Sequence, residues 1–131
     1  MNYFQGCDYS SGVWQFEGYG YVPSGTTGVS IMQVFGATHR ATTLMVRVYD
    51  GSLTNYRSPA LVSDTYNRWF RLNVIHDADA GMVKIYIDGD LKYEGPDDGC
   101  KSHCFKFGVY EQNDSSNYME SRWKEIKVFK K

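Results

Sequence analysis

Apolar and polar residues alternate at period two in run after run of this chain, and the runs are separated by clusters rich in Gly, Pro, Asp and Asn. Successive side chains of a β-strand point to opposite faces, so this pattern predicts strands with one buried and one solvated face. The runs predict strands over 13–22, 28–35, 42–49, 68–76, 82–87, 91–93, 104–112 and 118–129. No segment keeps a 3.6-residue period long enough to predict a helix. Pro23-Ser24-Gly25, Gly36-Ala37-Thr38, Asp50-Gly51, 77–81 and 95–99 punctuate the runs with turn chemistry. The sharpest local signal is Asp88-Gly89 between two alternating runs, which supplies the positive backbone angles of a tight hairpin. Eight short strands suit an all-β sandwich of two antiparallel sheets.

Composition agrees with that picture and bounds it. The 131 residues suffice for one sandwich core and not for two, so one domain over 1–131 is expected. With 11 Tyr and 7 Phe against only 3 Pro, the chain favours strands, and 13 Gly supply its turns. Net charge is −1 with both signs interspersed, which argues against a nucleic-acid partner and makes any polyanion site a local one. No run approaches the roughly 18 apolar residues of a membrane span, and no signal peptide follows Met1. Asn2-Tyr3-Phe4-Gln5-Gly6 has two readings, the end of an engineered cleavage tag or a strand remnant. A sandwich that starts at Val13 would lack an N-terminal strand, leaving an exposed sheet edge through which the chain could form a homo-oligomer.

Candidate chemistry concentrates in one strand. Alternation through 104–112 places Phe105, Phe107 and Val109 on one face, the core side, and Lys106, Gly108, Tyr110 and Gln112 on the other. There a cation, a phenol and an amide gather around a residue with no side chain, leaving room for a polar ligand. The same rule puts Gln33 with Phe35, opposite Met32 and Val34, and Arg47 with Tyr49. The three Cys residues, Cys7, Cys100 and Cys104, form neither a Cys-x-x-Cys pair nor a cluster with His, so no metal and no cofactor is expected; a Cys100–Cys104 bridge and reduced thiols both stay open. His39, His76 and His103 read as solvated, the acidic groups Asp77, Asp79, Asp97 and Asp98 as turn caps or solvated, and Trp14, Trp69 and Trp123 as core. Tyr9, Tyr19, Tyr21 and Tyr49 read as sheet packing, and Asn113-Asp114-Ser115 matches a glycosylation acceptor.

The run Phe105-Lys106-Phe107-Gly108-Val109-Tyr110-Glu111-Gln112 resembles the Tyr-Phe-Lys-x-Gly-x-Tyr-x-Gln strand of family 7 alginate lyases, and Gln33-Val34-Phe35 resembles their Gln-Ile/Val-His strand. Longer runs at 8–19, 22–26, 67–77 and 117–124 are similar to plant citrate-binding proteins, relatives of those lyases. The resemblance implies a concanavalin A-like jelly roll with an open groove for an acidic glycan, and a secreted or vacuolar location. In the lyases a Gln and an Arg neutralise the uronate carboxylate, while a His or Tyr takes the C5 proton and the Tyr protonates the leaving oxygen. By that likeness Gln33 matches the neutralising Gln, Lys106 the groove Lys and Tyr110 the catalytic Tyr. Two features depart from the pattern: Phe35 stands at the His position, and no Arg-x-Glu-x-Arg strand precedes Gly6.

Three readings follow. The first is a non-catalytic binding protein for a small carboxylate such as citrate or for an acidic glycan, held by Gln33, Lys106, Tyr110, Gln112 and Arg47. The second is a polysaccharide lyase acting by β-elimination with Tyr110 as both base and acid. The third is an interaction module that pairs its open sheet edge with another chain.

Overall fold

The computed structural model describes residues 2–3, 9–36, 42–97, 99, 102–112 and 114–131. Among these it forms ten strands and no helix: β1 (Asn2–Tyr3), β2 (Val13–Tyr21), β3 (Val29–Gly36), β4 (Leu44–Tyr49), β5 (Ser52–Asn55), β6 (Trp69–Asp77), β7 (Met82–Ile87), β8 (Asp90–Pro96), β9 (His103–Glu111) and β10 (Arg122–Lys130). They assemble into two five-stranded antiparallel sheets, one ordered β1-β9-β3-β4-β5 and the other β10-β2-β6-β7-β8. The architecture is a jelly-roll sandwich.

Period-two patterning explains which face each strand buries. In β7 the inward Val83, Ile85 and Ile87 alternate with Met82, Lys84 and Tyr86, and in β6 Phe70, Leu72 and Val74 point inward. The opposing sheet contributes Ile31, Met32, Val34, Val46, Val48, Leu53 and Phe105, which join them in one apolar cluster between the layers. Trp123 inserts edge-on against Phe16 and Phe70, and Gly20 makes this insertion fit: a Cβ there would lie 2.8 Å from the Phe70 ring and 3.2 Å from Trp123. Removal of such large apolar side chains from water is the main stabilising term.

The Asp88-Gly89 hairpin forms as its sequence demands, with φ of 52° and 87° and Ile87 paired to Asp90. Several expectations are corrected. Asp50-Gly51 makes a second two-residue hairpin, at φ 50° and 86°, that pairs Tyr49 with Ser52 and launches the unpredicted β5. The last strand starts at Arg122 rather than residue 118, because 118–121 run outside the ladder, and β8 extends to Pro96. Trp69 is 39% exposed, not core, whereas Trp14 and Trp123 pack against the apolar cluster. His39, Cys7, Cys100 and Asn113 lie outside the described residues.

Candidate functional site

The outward face of the sheet containing β3, β4 and β9 carries the predicted polar residues, and register explains how they meet. Gln33 on β3 faces Lys106 on β9 and Met45 on β4; in the next row Ser30 faces Tyr110 and Arg47. Between the two rows β4 advances two residues, β3 three and β9 four. The mismatch is absorbed by irregularities between Ser30 and Met32, where Ile31 and Met32 both turn inward and are fully buried. On β9 it is absorbed next to Gly108, whose φ of 138° is rarely open to an L-residue. Strict alternation would have sent Ser30 into the core. The bulge instead brings its hydroxyl to the Gln33 amide, whose Nε2 donates to Ser30 Oγ at 3.3 Å.

Gln33, Phe35, Thr42, Met45, Lys106, Tyr110 and Gln112 line one cleft of roughly 420 Å³. Gln33 forms its floor, with only 6% of its surface exposed, and Tyr110 stands at its mouth with 55% exposed. Lys106 Nζ sits 3.6 Å from the centre of the Phe35 ring, a cation–π contact that holds the ammonium over the cleft. Arg47 is one layer behind. Its Nη2 donates to Gln112 Oε1 at 3.2 Å, its Nη1 to Tyr49 Oη at 2.9 Å, and its guanidinium lies 5.1 Å from the Tyr56 ring centre. Tyr56 in turn donates its hydroxyl to the Thr42 carbonyl, closing the side of the cleft. Amide, ammonium and phenol therefore converge on one hollow, and Arg47 orients Gln112 rather than lining it. Such a donor set suits an oxygen-rich anion.

Of the residues singled out from sequence, the fold brings Gln33, Lys106, Tyr110 and Gln112 onto this cleft and places Arg47 behind it. Met45 shares the Arg47 and Tyr49 face of β4 by plain alternation and was simply not singled out, whereas Thr42, Ser30 and Tyr56 escape alternation because a bulge or a turn places them. A larger hollow, roughly 600 Å³, lies on the outward face of the other sheet between Val13, Ile75, Met82, Lys84, Tyr86 and Glu94. There Lys84 is paired with Glu94 at 3.6 Å, and Asp77 and Lys131 also line the hollow, so its described lining balances two cations with two carboxylates.

Two histidines read as solvated are instead buried. His76 is fully enclosed and His103 nearly so. Tyr9 Oη lies 2.7 Å from His76 Nδ1, and His76 Nε2 lies 2.9 Å from Asp97 Oδ2, so Asp97, which caps its turn by accepting from the Gly99 N–H, is also part of an internal network rather than solvated. Asp77 likewise caps its turn as expected, accepting from the Ala80 N–H at 2.9 Å. Cys104 is disulfide-bonded, and both candidate partners, Cys7 and Cys100, lie outside the described residues.

Comparison with known proteins agrees with the architecture. The sequence profile of the alginate lyase family matches residues 1–130. A citrate-binding protein of Hevea brasiliensis is 55% identical over 127 residues, covering 96% of this chain and 53% of its own length. The chain thus spans about half the length of that relative. Among solved structures, alginate lyase AlgAT5 of polysaccharide lyase family 7 superposes with a TM-score of 0.73 at 19% identity, covering 95% of this chain and 62% of that one. Alginate lyase AlyA1 from Zobellia galactanivorans gives 0.73 at 15% identity, covering 95% and 65%. These two likenesses establish the fold alone. With the profile matched along nearly all its residues and a plant relative at 55% identity, the chain belongs to the alginate lyase family.

Proposed function

We propose that the protein binds a carboxylate-bearing ligand, a citrate-like organic acid or an acidic glycan, in the cleft of Gln33, Lys106, Tyr110 and Gln112, without cleaving it. The observation that carries this reading is the convergence of an ammonium, an amide and a phenol on one hollow whose wall is Phe35. Lys106 offers the point charge, Gln33 and Gln112 offer amide donors, and the Tyr110 hydroxyl can donate to a carboxylate oxygen. Phe35 has no basic atom to accept a proton. The Hevea relative, by name a citrate-binding protein, adds support for binding. Calorimetric titration with citrate and with short uronate oligomers tests the reading: saturable heat with one class is expected, and neither heat nor a chemical-shift change with either would end it.

A second reading, β-elimination on uronate glycans, is favoured by one observation, the exposed Tyr110 at the mouth of the cleft in a chain of the alginate lyase family. Tyr110 would have to remove the C5 proton and return one to the leaving oxygen. A phenol is protonated in neutral water and acts as a base there only with strong positive charge nearby. Lys106 is the one cation among the described residues lining the cleft. Incubation with alginate, glucuronan and pectic substrates should therefore produce no ultraviolet-absorbing double bond, and a steady rise in that absorbance would establish the lyase.

A further inference from the structure

At one end of the sandwich, in its interior rather than on the outward face that carries the cleft, three side chains of metal-ligating type converge from strands that share no ladder. His76 is the penultimate residue of β6, Asp97 follows β8, and His103 opens β9 in the opposite sheet. One ligating atom from each lies within 4.8 Å of the other two. We propose that His76, Asp97 and His103 form a binding site for a borderline transition-metal dication of the Zn²⁺ class, an ion that would clip the two sheets together.

The donor set selects the ion class. Two imidazoles and one carboxylate suit Zn²⁺ and its neighbours, whereas Ca²⁺ and Mg²⁺ call for oxygen-dominated shells. The outer contacts are those a metal site uses to orient its ligands. Tyr9 Oη meets His76 Nδ1 at 2.7 Å, which turns Nε2 toward Asp97. The Gly99 N–H donates to Asp97 Oδ1 at 2.9 Å, which leaves Oδ2 as the oxygen facing His76. Tyr9 is itself fixed by a reciprocal backbone pair with His103, its N–H donating to the His103 carbonyl at 3.0 Å and its carbonyl accepting from the His103 N–H at 2.8 Å. His76 and His103 rings stand edge to face with centres 4.4 Å apart. Asp97 also lines an open hollow of roughly 400 Å³ with Ser10, Asp79, Gly81 and Gly99, so the carboxylate arm of the cluster borders solvent while the two imidazoles lie inside. Ligand identity and second-shell contacts are thus present. The 2.9 Å separation of His76 Nε2 and Asp97 Oδ2 is a hydrogen-bond length, so the ion replaces the shared proton and the two atoms move slightly apart.

The test uses the full chain, stripped with a chelator and with free thiols blocked. After Zn²⁺ is added and excess removed by gel filtration, elemental analysis should find close to one ion per chain and the melting temperature should rise. Co²⁺ should give the visible absorption of a low-coordinate site. Asp97→Asn keeps an acceptor toward His76 and sits at the rim of the cluster, so it should fold yet lose stoichiometric retention. Tyr9→Phe should weaken binding by about tenfold to a hundredfold, the usual effect of removing an orienting partner. A folded chain that retains no stoichiometric zinc overturns the proposal, as does an Asp97→Asn variant, folded by circular dichroism, that retains as much as the parent. Neither outcome touches ligand binding in the cleft.

Discussion

Lys106 carries the electrostatic side of the binding proposal, since its ammonium rests on the Phe35 ring over a floor made by Gln33. Lys106→Met keeps the aliphatic stem and removes the charge, so affinity should fall by about 1–3 kcal/mol, the range for a hydrogen bond to a charged group, with little change in folding. Isothermal titration of the folded variant checks this, and unchanged affinity would remove Lys106 from the site. Phe35 poses the complementary question. Phe35→His would set an imidazole of pKa near 6.5 beside Gln33, well suited to taking a proton at neutral pH. Elimination should nevertheless stay undetectable. The new base would stand in a cleft whose one described lining cation is Lys106, and stabilising the developing enediolate charge generally contributes more than placing the base. Ultraviolet assay of the variant on uronate oligomers distinguishes the cases, and robust activity would show that Phe35 alone had silenced a working lyase site.

At the level of strands, the same irregularities that build the cleft explain which parts of it were legible. Period-two alternation over 104–112 assigned Lys106, Tyr110 and Gln112 to one face, and they do line one cleft, because the even spacing survives from Lys106 to Tyr110 on β9 and Gln112 follows directly after its end. It could not place Ser30 beside Gln33, three residues away, because a bulge is a departure from the very period being read. β5 was missed for a different reason. Asp50-Gly51 was recognised as a turn, yet the run Ser52–Asn55 is too short to alternate visibly, although the same dipeptide logic that found the Asp88-Gly89 hairpin applies to it. Gly108 is where sequence and geometry meet most directly. At φ 138° a Cβ is strained, so Gly108→Ala should cost about 1–3 kcal/mol and shift the row of Tyr110 against Ser30. Urea unfolding measures the first effect. Weaker ligand binding in a variant that still folds measures the second, and a variant with parental stability and affinity would show that the ladder can relax without the bulge.

On the scale of the whole molecule, the two sheets are joined by apolar packing along their length and by the Tyr9–His76–Asp97 network at one end. No sequence spacing announced that network, because its members come from the N-terminal segment, β6 and the residue after β8, and only the sandwich closes the distance. Its burial makes stability depend on pH at both extremes. Burial alone would raise the Asp97 pKa, but the His76 hydrogen bond, the Gly99 N–H and the charges of His76 and His103 outweigh it, so its carboxyl sits below its ordinary 3.8 in the folded chain. A carboxyl so depressed contributes stability in full above its unfolded pKa, and that stability is lost as the pH falls through the folded value. Tyr9 works in the opposite sense: burial first, and the Asp97 charge second, push its phenol well above its ordinary 10. Because the folded chain keeps that phenol neutral, its contribution is complete below the unfolded value and is lost as the pH rises beyond it. In chelator-treated protein, the urea midpoint plotted against pH should therefore show a plateau that falls on the acid side below about pH 4 and on the alkaline side above about pH 10. Other carboxyls and phenols add to both limbs, so the comparison with variants carries the argument. Asp97→Asn should lower the plateau and flatten the acid limb, and Tyr9→Phe should flatten the alkaline limb alone. If Asp97→Asn ran parallel to the parent down to pH 2, the network would be packing without electrostatic consequence, and the end of the sandwich would owe its closure to the apolar cluster.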